Sequence, residues 1–175
     1  MDLVKPELQL IVDFVNTLDR ESGADALVDA RGLGDWLRAR GLWHGRPGAD
    51  DAAAARELRE ALRALMHVNN GGDDDRDAAT ATLDATARRE GIAVRFGTRG
   101  IRFDAPAGGV GAVLAAVGEA MADGSWQRLK ACRSDSCRWA FVDNARNRSR
   151  QWCSMSVCGN REKARTFRRR RAVRA

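Results

Sequence analysis

The chain has 175 residues, 30 of them Lys or Arg and 24 Asp or Glu, for a net charge of +6, and only four cysteines. That length suits one medium domain of roughly 120 residues with a small appendage, and no apolar run approaches the roughly 20 residues that span a bilayer. The charge is unevenly spread: residues 1–124 hold 15 basic against 21 acidic side chains, whereas residues 125–175 hold 15 against 3, a balance of +12. A compact basic module attached to a mildly acidic body is an electrostatic footprint for a polyanion.

The start, Met1-Asp2-Leu3-Val4-Lys5-Pro6, lacks the basic-then-apolar order of a signal peptide, and Asp13 and Asp19 interrupt the first apolar segment. The expected compartment is the cytoplasm, where thiols stay reduced. The shortage of lysine, three among thirty basic residues, matches the coding bias of a GC-rich bacterium.

Pro6 suits the first turn of a helix carrying Leu8, Ile11, Val12, Val15 and Leu18 at helical spacing, with Leu10 and Phe14 widening the stripe. A short second helix is expected over 32–40, with Leu33, Trp36 and Leu37. Asp50 or Asp51 caps a third, whose Ala54, Leu58, Ala61, Leu62 and Leu65 form one face before Asn69-Asn70-Gly71-Gly72 stops it. An alanine-rich fourth helix is expected over 75–90. The period then changes from 3.6 to 2. Segments 92–96 and 101–103 alternate around Gly97-Thr98-Arg99-Gly100, a hairpin signal, and such a hairpin must lie against helices to be stable. A last helix after Pro106 places Val110, Val113, Leu114, Val117 and Met121 on one side and ends at Gly124.

Nothing in this body forms a catalytic set, and no enzyme is expected. His44 and His67 lie in different segments without a nucleophile or carboxylate at a useful spacing, which points to packing or surface roles. Asn16-Thr17 closes an otherwise apolar helix; the pair either bonds to a neighbouring loop or lines a ligand pocket. Asp73-Asp74-Asp75 lacks the ligand spacing of a calcium loop and reads as a solvated turn that caps a helix.

The four cysteines form two matched pairs, Cys132-x4-Cys137 and Cys153-x4-Cys158. Two disulfides or four separate thiols are alternatives, but in a reducing compartment the symmetrical spacing reads as a single tetrathiolate zinc site. All four positions are then filled by sulfur, so the one Zn2+ is structural. Segment 138–143 reads as a strand with 129–131 as its partner, 149–152 as a returning strand, and the chain from Val157 onward as a helix with Val157, Ala164 and Phe167 inward. Trp126, Trp139, Phe141, Trp152 and Phe167 offer only a mini-core, so the metal should supply much of the folding energy. At a helix start, Cys158 gains from free N–H groups. Gly159 would admit the backbone close to the metal, and Asn160 and Arg161 could donate to the sulfurs.

The run from Trp126 through Cys132, Cys137, Trp139 and Asp143, followed by Asn147, Arg150, Trp152-Cys153-Ser154-Met155 and Cys158-Gly159-Asn160-Arg161, resembles the bacterial CGNR-type zinc finger. Through Asp13-Phe14-Val15-Asn16-Thr17, the Leu33-x2-Trp36-Leu37 segment and the hairpin, the body resembles the ABATE-type domain that precedes this finger. The resemblance implies a stress-induced transcription regulator with zinc ligands Cys132, Cys137, Cys153 and Cys158, and no ligand for the body.

The expected fold is α+β and mostly α. It pairs a helical domain with a small hairpin over 1–124 with a treble-clef-like zinc finger and arginine-rich helix over 125–175. The expected activity is DNA binding by that finger, the body sensing a signal or forming a homodimer. Arg161, Arg165, Arg168 and Arg169 would meet phosphates or base edges, and Arg146, Arg148 and Arg150 would clamp the backbone. The alternative is a zinc-stabilised RNA binder, stacking bases on Trp139 or Trp152, or an adaptor for an acidic protein.

Overall fold

The computed structural model describes residues 4–43, 45–98 and 100–172, so His44 and Arg99 of the hairpin turn lie outside the described residues. The body comprises α1 (Pro6–Val15), α2 (Ala30–Arg38), α3 (Ala49–Asn69), α4 (Arg76–Glu90) and α5 (Gly109–Ala122), with an antiparallel hairpin of β1 (Ala93–Gly97) and β2 (Gly100–Asp104) between the last two. A 3-10 turn, Ser125–Arg128, leads into a second antiparallel hairpin of β3 (Leu129–Ala131) and β4 (Ala140–Val142). A π-helical turn, Met155–Gly159, then opens α6 (Asn160–Ala172). No helix among the described residues is long and apolar enough to cross a membrane.

The helix ends follow local chemistry. Asp29 caps α2 by accepting from the Gly32 amide, and Asp75 caps α4 by accepting from the Ala78 amide. At the start of α3 the Asp51 carboxylate reaches back to the Gly48 amide. The first helix stops at Val15, three residues short of Leu18, because Asn16 and Thr17 leave the helical path. Leu18 instead bridges Asp25 across a tight loop.

Leu8, Ile11, Phe14 and Val15 of α1 meet Leu58, Leu62 and Met66 of α3 and Val113 and Val117 of α5 in one buried cluster. This interior does not end at Gly124. Trp126, Leu129, Ala131 and Ala140 belong to the same cluster, so the hairpin bearing the first cysteine pair is packed into the body. The β1–β2 hairpin is attached more lightly. Phe103 sits over Gly118 of α5, where a Cβ would come within 2.8 Å of its ring, while Phe96 on the same face is 88% exposed. Met121, expected on the buried side of its helix, is exposed.

Two expectations for the basic module fail. Segment 149–152 is no strand; its backbone is held instead by Arg133, whose amide donates to the Gln151 carbonyl, and by side chains. The helix α6 has no inward face: Val157, Ala164 and Phe167 are exposed, and none of residues 160–171 is buried. One phenylalanine and two alanines among seven basic side chains give too little apolar area to draw the helix onto a surface. The supposed mini-core disperses likewise. Trp126 joins the main interior, Phe141 is buried, Trp152 packs on the cysteines, and Trp139 and Phe167 face solvent.

Candidate metal centre and basic surface

The two cysteine pairs arrive on two tight loops. In the first, the Cys137 and Arg138 amides both donate to the Ser134 carbonyl and the Cys132 amide to the Trp139 carbonyl, which turns the chain between β3 and β4. In the second, the Ser154 hydroxyl accepts from the Val157 amide and its carbonyl from the Gly159 amide. Gly159 is needed for packing: a Cβ there would lie 2.5 Å from Met155 Sδ and 3.3 Å from the Trp152 ring.

All four sulfurs lie within 4.8 Å of one another, with Cys137–Cys153 at 3.6 Å and Cys153–Cys158 at 3.7 Å. A tetrahedron with 2.3 Å zinc–sulfur bonds has sulfur–sulfur edges of about 3.8 Å, whereas a disulfide would require about 2.0 Å. The cysteines are free, and their spacing is that of a closed tetrathiolate site. Burial, then the neighbouring sulfurs, raise the Cys153 thiol, and burial also dominates in pushing Cys158 up to about 12. With their thiols so raised, Cys153 and Cys158 become thiolates only beside a cation, which is the chemistry a divalent ion supplies. The chain therefore has one structural zinc site, closed to substrate or water.

The body holds this centre through polar side chains that the helical periodicity conceals. Asn70, at the end of α3, donates from one amide nitrogen to the carbonyls of Ala131 and Gln151, both at 2.8 Å, and so links the approach to each cysteine pair. Arg133 returns the contact, donating to the Asn70 carbonyl at 2.8 Å. Arg63, its side chain only 3% exposed, donates to the carbonyls of Val15, Leu18 and Arg138. Arg138 adopts φ 51°, in the left-handed region, and its guanidinium meets Asp74 at 3.1 Å while His67 bonds the same carboxylate. Burial works to raise the Asp74 carboxyl, but the His67 bond and the Arg138 charge outweigh it and hold the group below its usual range. Asn69-Asn70-Gly71-Gly72 reads in sequence as a helix stop; only the fold shows it to be a docking point. Asn70→Ala leaves the buried Ala131 carbonyl unpaired, takes one of two donors from the Gln151 carbonyl, and should cost about 1–3 kcal/mol. It should also speed zinc loss to a chromogenic chelator, and an unchanged rate would contradict the link.

Asn16 and Thr17 both bond to neighbouring backbone. The Asn16 amide pairs with both sides of Ala140, donating to its carbonyl at 2.9 Å and accepting from its amide at 2.8 Å, so α1 caps the edge of β4. Thr17 donates to the Phe14 carbonyl, and Arg59 reaches its hydroxyl at 3.4 Å. Arg59 itself lies under the body, paired with Asp25 at 2.6 Å.

The seven candidate arginines separate into groups. Arg168 and Arg169 stand exposed on α6 with no carboxylate within ion-pair distance among the described residues, and Arg165 meets only its helical neighbour Glu162 at 3.4 Å. Arg161 pairs with Glu21 of the body, both partly exposed, and Asn160 bonds the Ser156 carbonyl; neither donates to a sulfur. Arg150 is exposed but also bonded within its own loop. Its guanidinium lies 4.5 Å over the Phe141 ring and donates to the carbonyls of Trp152 and Cys153, bracing the second cysteine loop.

Arg146 and Arg148 face outward on a loop organised from beneath. Lys130 Nζ donates to Asp143 Oδ2 at 2.7 Å and to the carbonyls of Arg148 and Arg150. Asp143, fully buried, also accepts from the Ala145 and Arg150 amides. Burial would raise the Asp143 carboxyl, yet the Lys130 bond and the amides prevail and lower it. Arg148 itself takes φ 50°, so the loop is fixed in a sharply turned form.

The ABATE family model, described as "Putative stress-induced transcription regulator", matches residues 8–124. The CGNR zinc finger model matches residues 128–171, which contain all four cysteines. No curated protein matches the chain.

Proposed function

This chain belongs to the ABATE family and ends in a CGNR zinc finger, and on that premise we propose that it is a cytoplasmic DNA-binding regulator, not an enzyme. The observation that supports this reading best is α6. Thirteen residues carry seven basic side chains against one glutamate, and the helix leaves the zinc centre without packing on the body. Phosphates relieve the mutual repulsion of so many exposed basic side chains on one helix. Arg165, Arg168 and Arg169 are assigned to phosphates or base edges, with Arg161 joining once its exposed pair with Glu21 opens. Arg146 and Arg148 are assigned to the flanking backbone.

Zinc-loaded protein should bind duplex DNA with a log affinity that falls linearly with log salt, with a slope of about −0.9 per neutralised phosphate. Arg168→Gln and Arg169→Gln should each flatten that slope by about one. Affinity indifferent to salt would falsify the proposal. Trp139, 37% exposed beside the first cysteine pair, favours a second reading in which single-stranded RNA stacks on that ring. Trp152, partly buried against the cysteines and open to a surface recess, is the other stacking candidate. Competition between duplex DNA and single-stranded RNA separates the two. We place signal sensing or self-association in the body.

A further inference from the structure

Arg128, Arg146 and Arg148 converge on a recess of 660 Å³ at the junction of the body with the basic module. We propose that this recess binds a small phosphorylated ligand of mononucleotide size, carrying a phosphate monoester or diphosphate. The site goes beyond the DNA reading and does not depend on it.

The electrostatics favour a multivalent anion. Among the described residues Asp123 is the one carboxylate in the lining, and it is already engaged by Lys5 Nζ at 2.6 Å and the Ser125 amide at 2.8 Å. Arg128 donates to a carbonyl, that of Asp143, at 3.0 Å. Arg146 and Arg148 have no carboxylate within ion-pair distance among the described residues. The described lining thus carries a formal charge of +3, with Lys5 and Asp123 cancelling. Three guanidinium groups around one hollow repel one another, and each presents the planar fork that matches phosphate oxygens.

Shape and rigidity add to this. The buried Lys130–Asp143 pair fixes the loop that carries Arg146 and Arg148, so binding need not order it first. Val4, Leu8 and Val142 supply apolar wall for the body of the ligand, and the volume falls within the ordinary range for small-molecule sites. The start of α1 opens here without a side-chain cap, adding some positive potential. A backbone phosphate of a duplex would use the rim alone, whereas a compact ester fills the recess. An occupant would neutralise the loop assigned to the DNA backbone and weaken DNA binding, with reciprocal weakening of the ligand by DNA.

The test titrates zinc-loaded full chain, without DNA, by calorimetry with pyrophosphate and with ADP, using sulfate at matched ionic strength as the control. Saturable binding at one site per chain is expected for both phosphate probes, and much weaker binding for sulfate. The double variant Arg146→Gln/Arg148→Gln should lose about tenfold or more in affinity, with an unaltered circular dichroism melting curve. Arg168→Gln/Arg169→Gln on α6 should bind both probes as the parent does. Absence of saturation with both probes overturns the proposal, as does equal loss in the α6 variant. A short duplex forms a separate arm. Duplex binding without pyrophosphate or ADP binding assigns the phosphates to DNA alone and discards the recess, leaving the DNA reading intact.

Discussion

Removing zinc should melt residues 153–172 while α1 to α5 and the β3–β4 hairpin stay folded. Apparent binding of structural zinc in finger peptides is worth about 10–16 kcal/mol near neutral pH, and segments without their own core spend it on folding. The second half of the basic module is such a segment. Its buried residues are Cys158 and Gly159, supported by Trp152 and Cys153, while Val157 and Phe167 face solvent. The first half has other anchors: Leu129, Ala131 and Ala140 lie in the main interior, and Asn16, Arg63 and Asn70 bond its backbone. Hydrogen exchange after chelation should show fast exchange across 153–172 and retained protection at 129–131 and 140–142. The body should melt a few degrees lower, since 1 kcal/mol shifts a domain of this size by about 2–4 °C. Cys153→Ser should reproduce the pattern. Protection surviving unchanged in α6 after metal removal contradicts the metal's structural role.

Asp143→Ala should be among the most damaging single changes outside the cysteines, costing about 3–5 kcal/mol. The side chains of Asp143 and Lys130 are 0% and 6% exposed, so truncating the carboxylate strands an ammonium in the interior. It also releases the Ala145 and Arg150 amides. Against a total stability of about 5–15 kcal/mol, that is a large fraction. Urea denaturation measures it as a lower midpoint. Asp143→Asn, which keeps an acceptor, should lose less. The pair Asp143→Leu with Lys130→Met should recover much of the stability, because apolar replacement removes both desolvation costs. It should leave the 144–150 loop poorly ordered. Equal stability of the single alanine variant and the parent would remove the pair from its place beneath the loop.

Periodicity disclosed the helices because apolar side chains recur on their buried faces, and alternation disclosed both hairpins. The cysteine spacing disclosed the metal centre because two short loops are enough to offer four sulfurs. What stayed hidden is polar and long-range. Arg59 and Arg63 look in sequence like the solvated face of α3, yet each is buried because the α1–α2 loop and the first cysteine loop present carbonyls and a carboxylate to them. Asp74 sits in an acidic run that resembles a solvated turn, and only its neighbours in space, His67 and Arg138, give it a role. Arg150 carries the same charge as Arg148 two residues away, but lies across Phe141. No local pattern separates a guanidinium that braces from one that faces outward.

The two matched segments are distinct in sequence but share an interior. A finger moved onto another body would need a surface ready for Leu129, Ala131 and Ala140, with an asparagine at the end of a long helix to meet both cysteine loops. Such a joint resists shuffling. Where this pairing occurs, the two parts should be inherited together, and drift at the seam should proceed by matched changes on both sides.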